Sequence, residues 1–372
     1  MKKMFEVVHY SKKSRARVGR LHTAHGIIDT PTFVPVATNA SIKAVDSTHI
    51  NEVGVQLLFC NTYHLLLHPG PEVVAAAGGL HNFMGRTAPL ITDSGGFQVF
   101  SLAYGSVFDE LKSKGLKKQN GSIIKVSEEG VRFRSYRDGA LVLLTPESTV
   151  QVQKALASDI IIPLDELPPY HIDKRVLRAS LERTHRWEKR SLDEHLKNPQ
   201  RQIMYAVVHG GVDPELRARS AQYLGLLPFD GFAIGGSLGK TREEMVSMLS
   251  VLMPQLLPER PVHLLGIGDL SSLESCVPLG IDSFDSSYPT KCARHGILLS
   301  SEGPINITRS QWKNVHTPIS DAPLCSHYSA AYLHHLFKAH ESVAHTLVSL
   351  HNIHFMNNLM AQYRQLIMED RV

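Results

Sequence analysis

Cysteine is scarce in this 372-residue chain: Cys60, Cys276, Cys292 and Cys325 are scattered without close pairing, so neither a disulfide framework nor a complete Cys-x-x-Cys metal knuckle is visible. That scarcity points to a reducing compartment, and the cytoplasm is the expected location. Tryptophan occurs only twice, which leaves little material for the aromatic platforms of a polysaccharide-binding cleft. No apolar run approaches the length of a membrane span, and the opening MKKMFEVVHYSKKSR breaks its apolar residues with charges too soon for a signal peptide. Neither sign of charge dominates. A net charge of +4 tolerates a polyanionic partner without requiring one.

What the chain has is a repeated alternation. Eight short branched or apolar runs, at 32–36, 55–60, 89–92, 159–163, 203–208, 231–234, 262–265 and 281–284, are each followed by a polar or glycine-rich turn. Helical periodicity fills 146–157, 173–195, 214–223, 241–253 and 270–278, several of these segments opening on Thr, Asp or Pro. Continuous apolar runs such as DIIIP and YAVV suit strands buried on both faces of a parallel sheet. Eight such units predict an α/β fold, a (β/α)8 TIM barrel. An antiparallel N-terminal cap is expected from 5–9, 17–21 and 26–28, and an antiparallel insertion between strands three and four, within 105–144, with Arg137-Asp138-Gly139 as a turn. The barrel with its cap and insertion is expected to cover 1–315, and a small C-terminal helical subdomain with the last barrel helix 316–372.

In such a barrel the site forms just beyond the carboxyl ends of the strands. Those ends carry TDSGGFQ, LDE, HGG, GGS, GIGD and FDSSYPTK. Asp93, Asp165, Glu166 and Asp285 therefore project into one mouth. Taken singly, an Asp before a turn is as readily a helix cap; several together suit chemistry at an anomeric carbon, where one carboxylate attacks C1 of a sugar and another manages the leaving group's proton. Three glycine pairs, Gly95-Gly96, Gly210-Gly211 and Gly235-Gly236, each explicable as a simple turn, together let main-chain groups approach a flat base closely. Phe97 serves equally as core packing or as a stacking face.

These residues, with FVPVATNASIK at 33–43, NTYHLLLHPG at 61–70, TDSGGFQVFSL at 92–102, SDIIIPLDE at 158–166, GFAIGGSLG at 231–239, LLGIG at 264–268 and DSFDSSYPTKCARHG at 282–296, resemble the bacterial-type tRNA-guanine transglycosylases over nearly the whole chain. The resemblance implies a pentosyltransferase that exchanges guanine at the wobble position of tRNAs with GUN anticodons for a 7-deazaguanine. It implies Asp285 as the nucleophile on ribose C1′ and Asp93 as the general acid/base. Asp165 is then the acceptor for the base's N1 and 2-amino edge, Gly236 N–H reaches O6, and Phe97 stacks on the ring, with His209, Gly235, Ser237 and Leu265 completing the pocket. Thr290, Lys291 and Arg294 match positions that contact the anticodon loop, although Lys replaces Arg at 291 and with it any bidentate contact. A homodimer is implied as well, and no cofactor is needed for the chemistry.

Three departures from the family pattern stand out. Its zinc site, Cys-x-Cys-x-x-Cys with a distant His, is reduced to Cys325 and His351, 26 residues apart; one thiolate and one imidazole do not make a tight tetrahedral site, though Asp321 or His327 could substitute. His209 stands where bacterial members carry Gln, and a protonated or suitably tautomeric imidazole still donates one hydrogen bond. The loop GGLAVGE becomes GGSLGK at 235–240, one residue shorter, with Gly239 at the Val position and the Glu lost. That change favours queuine, with its bulky cyclopentenediol, over 7-aminomethyl-7-deazaguanine. Two other classes fit parts of the pattern: a retaining glycoside hydrolase, which would cleave a sugar polymer, and a non-catalytic tRNA-binding subunit, which would lack base exchange on its own.

Overall fold

Pairing of the apolar runs closes a barrel. In this computed structural model, which describes residues 4–104, 123–322 and 325–372, a three-stranded antiparallel sheet comes first, built from β1 (Phe5–Tyr10), β2 (Arg17–Thr23) and β3 (Gly26–Thr30). The parallel strands are β4 (Thr32–Pro35), β5 (Leu58–Cys60), β6 (Leu90–Thr92), β10 (Ile160–Ile161), β11 (Ile203–Val208), β12 (Gly231–Ile234), β13 (Val262–Leu264) and β14 (Ser283–Ser286). Their order, β4-β14-β13-β12-β11-β10-β6-β5, is closed by a parallel bridge between Val36 and Phe59 and by the Ala37 N–H donating to the Phe59 carbonyl at 2.7 Å. The expected (β/α)8 barrel is therefore the observed one. Between β6 and β10 lies the antiparallel insertion, β7 (Ile123–Val126), β8 (Val131–Arg134) and β9 (Leu141–Leu144), with its turn around Arg137-Asp138-Gly139. The part of the expected insertion at 105–122 lies outside the described residues. A two-stranded ribbon, β15 (Ile297–Leu298) and β16 (Ile305–Asn306), precedes the C-terminal helices Ala330–Lys338 and Val343–Met368.

Side-chain alternation divides the core into an inner and an outer layer. Along β11, Tyr205 and Val207 point into the barrel with Val34, Phe59, Ile91, Ile160 and Ala233, and Phe5, Leu21 and Ile28 of the cap plug the floor of that interior. Met204, Ala206 and Val208 face outward and pack beneath the surrounding helices with Phe232, Ile234 and Leu249. A satellite core of Ala293, Leu298, Ile307, Cys325, Leu333, Leu336 and Leu347 joins the C-terminal segment to the barrel. No helix among the described residues is long and apolar enough to cross a membrane.

At the amino ends of the strands, Arg17 and Asp282 form a buried fork. Arg17 Nε donates to Asp282 Oδ1 at 2.9 Å and Nη2 to Oδ2 at 2.6 Å, while Val262 N–H donates to the same carboxylate at 2.7 Å. Removing one partner strands a buried charge, so Arg17→Met is expected to lower unfolding stability by about 3–5 kcal/mol, read from urea denaturation midpoints. An unchanged midpoint would remove this pair from the account of what holds the cap to the barrel.

Candidate active site

The barrel order fixes which strand-end residues are neighbours. Going round the rim, Asp93 follows β6, Asp165 follows β10, His209 follows β11, Gly235 and Gly236 follow β12, Leu265 follows β13, and Asp285 lies within β14. All occupy the carboxyl-end face. The position of β14 differs from the expected 281–284 by two residues, because its pairing with β4 runs through Asp285 opposite Val34 and Ser286 opposite Pro35. Asp285 is therefore held by the sheet itself and not by the turn beyond it.

Asp93 is almost completely buried. Asn61 Nδ2 donates to its Oδ2 at 2.8 Å, the Thr62 N–H donates to Oδ1 at 2.7 Å, and the Thr62 hydroxyl donates to its carbonyl at 2.5 Å. Burial pushes its carboxyl up to about 6; hydrogen bonds from Asn61, Thr62 and Gln98 oppose that shift, and the neighbouring Asp165 charge adds to it. A carboxyl in that range can both donate and accept a proton near neutrality, as a leaving base followed by an incoming one requires.

Asp165 next door is bound from two sides. Its Oδ2 lies 2.7 Å from His209 Nε2, and Ser94 Oγ donates to Oδ1 at 3.3 Å. With Nε2–H donating to the carboxylate, His209 presents Nδ1 toward Gly236. Gly236 has φ +78°, and a side chain there would put its Cβ 2.7 Å from that Nδ1, so only glycine fits between the imidazole and the mouth. Phe97, the second residue of the helix Gly96–Tyr104, is 48% exposed at the rim. Glu166 turns aside to an ion pair with Arg183 at 2.6 Å.

Asp285 is 6% exposed, and its Oδ1 receives the Gly266 N–H at 2.8 Å and lies 3.0 Å from His263 Nε2. The helix Tyr288–Arg294 follows at once and carries the basic pair. Lys291 is exposed and Arg294 partly so, with one guanidinium N–H donating to the Thr290 carbonyl at 3.1 Å. Thr290 faces inward instead, buried, with its hydroxyl donating to the Ser287 carbonyl at 3.1 Å. Ser237 and Leu265 sit partly buried beside Gly236 and Gly266. Sequence reasoning did not single out Asn61 or His263. Asn61 stood inside a quoted motif as an unremarked amide, and His263 reads as an ordinary core position within a strand.

The remnant ligands at the C-terminal end are engaged by protein groups. The Cys325 thiol donates to the Leu347 carbonyl at 2.9 Å, and burial pushes it up to about 12. His351 Nε2 lies 2.8 Å from the Leu299 carbonyl and Nδ1 2.5 Å from Ser320 Oγ, so Nε2–H donates and the Ser320 hydroxyl donates in turn. This donor set does not fit a tetrahedral structural zinc: among the described residues no third His, Cys, Asp or Glu brings a ligand atom beside those of Cys325 and His351, and both imidazole nitrogens are hydrogen-bonded within the protein. Among the described residues one trio, His25, His81 and Asp159, brings ligand atoms within 4.8 Å of one another, at the opposite end of the barrel. Its imidazoles stack with centroids 3.5 Å apart and planes 18° apart. A zinc about 2 Å from both nitrogens would lie well out of at least one ring plane, away from its lone pair. Asp159 instead lies 2.8 Å from His25 Nδ1 and accepts the Leu90 N–H at 2.9 Å.

Comparison with known proteins gives a consistent result. The family model described as queuine tRNA-ribosyltransferase matches residues 12–372. A queuine tRNA-ribosyltransferase of Protochlamydia amoebophila is 62% identical over 99% of this chain and 96% of its own length. Proteins of the same name from Chlamydia caviae and Chlamydia trachomatis are 56% and 55% identical, each over 99% of both chains.

Proposed function

The chain belongs to the queuine tRNA-ribosyltransferase family, a family of pentosyltransferases, and from that premise we propose that it exchanges guanine 34 in the anticodon of tRNAs for Asp, Asn, His and Tyr for a 7-deazaguanine. Asp285 attacks C1′ of the riboside while Asp93 protonates the departing guanine, giving a covalent tRNA ester. Asp93 then deprotonates the incoming base, which displaces Asp285 and restores the N-glycosidic bond. Because the ester conserves the energy of the broken bond, no nucleotide cofactor is required. The observation that carries this reading is the buried Asp93 on the same rim as the sheet-anchored Asp285, with the Asp165–His209 pair between them in barrel order. Asp165 accepts from the base's N1 and 2-amino group, Gly236 N–H donates to O6, Phe97 stacks on the ring, and Lys291 and Arg294 hold the anticodon loop, while His209, whose one N–H goes to Asp165, lines the pocket and orients that carboxylate. Purified protein alone is expected to incorporate labelled guanine into such tRNAs. Incorporation that appears only when a second protein is added would return the chain to the role of a non-catalytic subunit.

Queuine is the incoming base we favour. A cavity of about 370 Å³ adjoins the base pocket, its lining including His209, Gly210, Gly236, Ser237, Glu166 and Tyr170, and it suits a substituent that carries hydroxyls. Gly239 borders this loop with φ +115°, and a side chain there would meet the Glu244 side chain at 3.0 Å. In direct competition queuine is expected to be incorporated at least about tenfold faster than 7-aminomethyl-7-deazaguanine, the low end of what a pocket shaped to one substituent discriminates. The reverse preference would overturn this assignment. The chain acts as a homodimer in the cytoplasm, by this reading, and folds its C-terminal segment without zinc. Dialysis against a strong chelator is therefore expected to leave the melting temperature unchanged, and a drop of several degrees with stoichiometric zinc release would contradict it.

A further inference from the structure

The two groups that hold Asp285 do so asymmetrically. Strands β13 and β14 pair in parallel with His263 opposite Ser283. Ser283 and Asp285, two apart on β14, share one face of that strand. His263 is fully buried, its Nδ1 lies 2.8 Å from Ser283 Oγ and its Nε2 lies 3.0 Å from Asp285 Oδ1. The Phe59 ring runs nearly parallel to the imidazole, 18° from its plane. An ionised carboxylate only accepts, so Nε2 carries the hydrogen, Nδ1 is left as an acceptor, and the Ser283 hydroxyl donates to it. Ser283 thus selects the tautomer that His263 uses on Asp285. The Gly266 N–H also donates to Oδ1, at 2.8 Å, and among the described residues no hydrogen bond reaches Oδ2.

We propose that His263 is a positioning residue for the transfer, fixing the Asp285 carboxylate by Oδ1 so that Oδ2 alone is the attacking oxygen. The inference rests on the reading of Asp285 as nucleophile. In the first half-reaction the Oδ2–C1′ bond forms as the C1′–N9 bond breaks, the electron pair passing to the base, which takes a proton from Asp93. Oδ1 is then the ester's carbonyl oxygen and keeps both donors. In the second half-reaction N9 of the incoming base, having given its proton to Asp93, bonds to C1′; the Oδ2–C1′ pair returns to the carboxylate, and part of the regenerated charge falls on Oδ1, under the His263 and Gly266 N–H groups. A buried histidine that only filled the barrel would affect stability and leave this chemistry alone.

The test uses the full-length protein with His263→Leu, His263→Gln and Asp285→Asn, measuring kcat and KM for guanine exchange, tRNA affinity, melting temperature and the rate at which a tRNA–protein adduct resistant to denaturation appears. His263→Leu is expected to keep tRNA affinity within about threefold and to lose about 100-fold in kcat and in adduct formation alike, the scale set by misplacing a reacting group by roughly 1 Å. Gln restores an N–H donor and is expected to recover kcat to within about tenfold of the parent. Wild-type kcat in His263→Leu, or equal losses in the Leu and Gln variants, overturns the proposal. Should His263→Leu fail to fold, Ser283→Ala takes its place, with an expected fall of about tenfold in kcat at unchanged KM, the low end of what losing an orienting hydrogen bond costs; unchanged kcat there overturns the proposal equally. Exchange that persists in Asp285→Asn sinks the nucleophile reading itself, whereas its loss there beside normal rates in His263→Leu sinks only the role given to His263.

Discussion

Asp285→Asn is expected to lower base exchange by at least about 10⁴-fold, the loss typical of removing a nucleophile from a group that acts as a unit. Asparagine keeps the shape of the side chain, and its amide oxygen can still accept from His263 and Gly266 at the Oδ1 position. The variant should therefore fold and bind tRNA as the parent does. What it loses is a second anionic oxygen, and an amide does not open a riboside. A variant that binds tRNA normally yet forms no adduct would separate binding from chemistry; one that exchanges guanine at even a hundredth of the parent rate would place the nucleophile elsewhere.

The second large effect concerns Asp93, for which Asn substitution is expected to reduce exchange by about 10²–10⁴-fold, the usual contribution of a positioned acid/base. Its carboxyl, raised by burial to about 6, gives the effect a pH signature. Adduct formation needs the protonated form, so its single-turnover rate falls as pH rises through about 6, while discharge of the adduct by an incoming base needs the carboxylate and rises over the same interval. In Asp93→Asn both rates should be slow and flat. Stability moves in a linked way. Between the ordinary value of 3.8 and about 6 the unfolded chain has lost this proton and the folded protein still holds it, so this group makes stability fall as pH rises through that window. The full difference is about 3 kcal/mol at roughly 1.4 kcal/mol per unit. Asp93→Asn lacks that penalty, and its stability relative to the parent is expected to climb from pH 4 to pH 7. A constant difference across that range would mean that Asp93 is not held in its protonated form by the fold.

How much of this was legible beforehand depended on the kind of signal. The runs at 203–208 and 231–234 are strands from end to end, since a buried parallel strand is written as an unbroken apolar run. The run at 159–163 is cut to Ile160–Ile161 because the Ile162 N–H is taken by Gln153 Oε1 at 3.0 Å and Pro163 has no N–H to give. No periodicity announces such a side-chain substitution. The helices Ser47–Glu52, Thr62–Leu67, Pro71–Ala76 and Leu80–Met84 went unread because one or two turns carry too few positions to show a period of 3.6. The strand-end acids were visible because their neighbours are turn residues. Their supports, Asn61 and His263, come from adjacent strands and enter only through the order in which the barrel closes.

One measurement bears on the whole scheme. After the protein is mixed with a GUN-anticodon tRNA, denatured and digested with nuclease and protease, mass spectrometry of the peptides reports where the nucleotide is attached. A nucleotide ester on Asp285 is the expected outcome, and attachment at Asp93, Asp165 or another side chain, or none during active exchange, contradicts it.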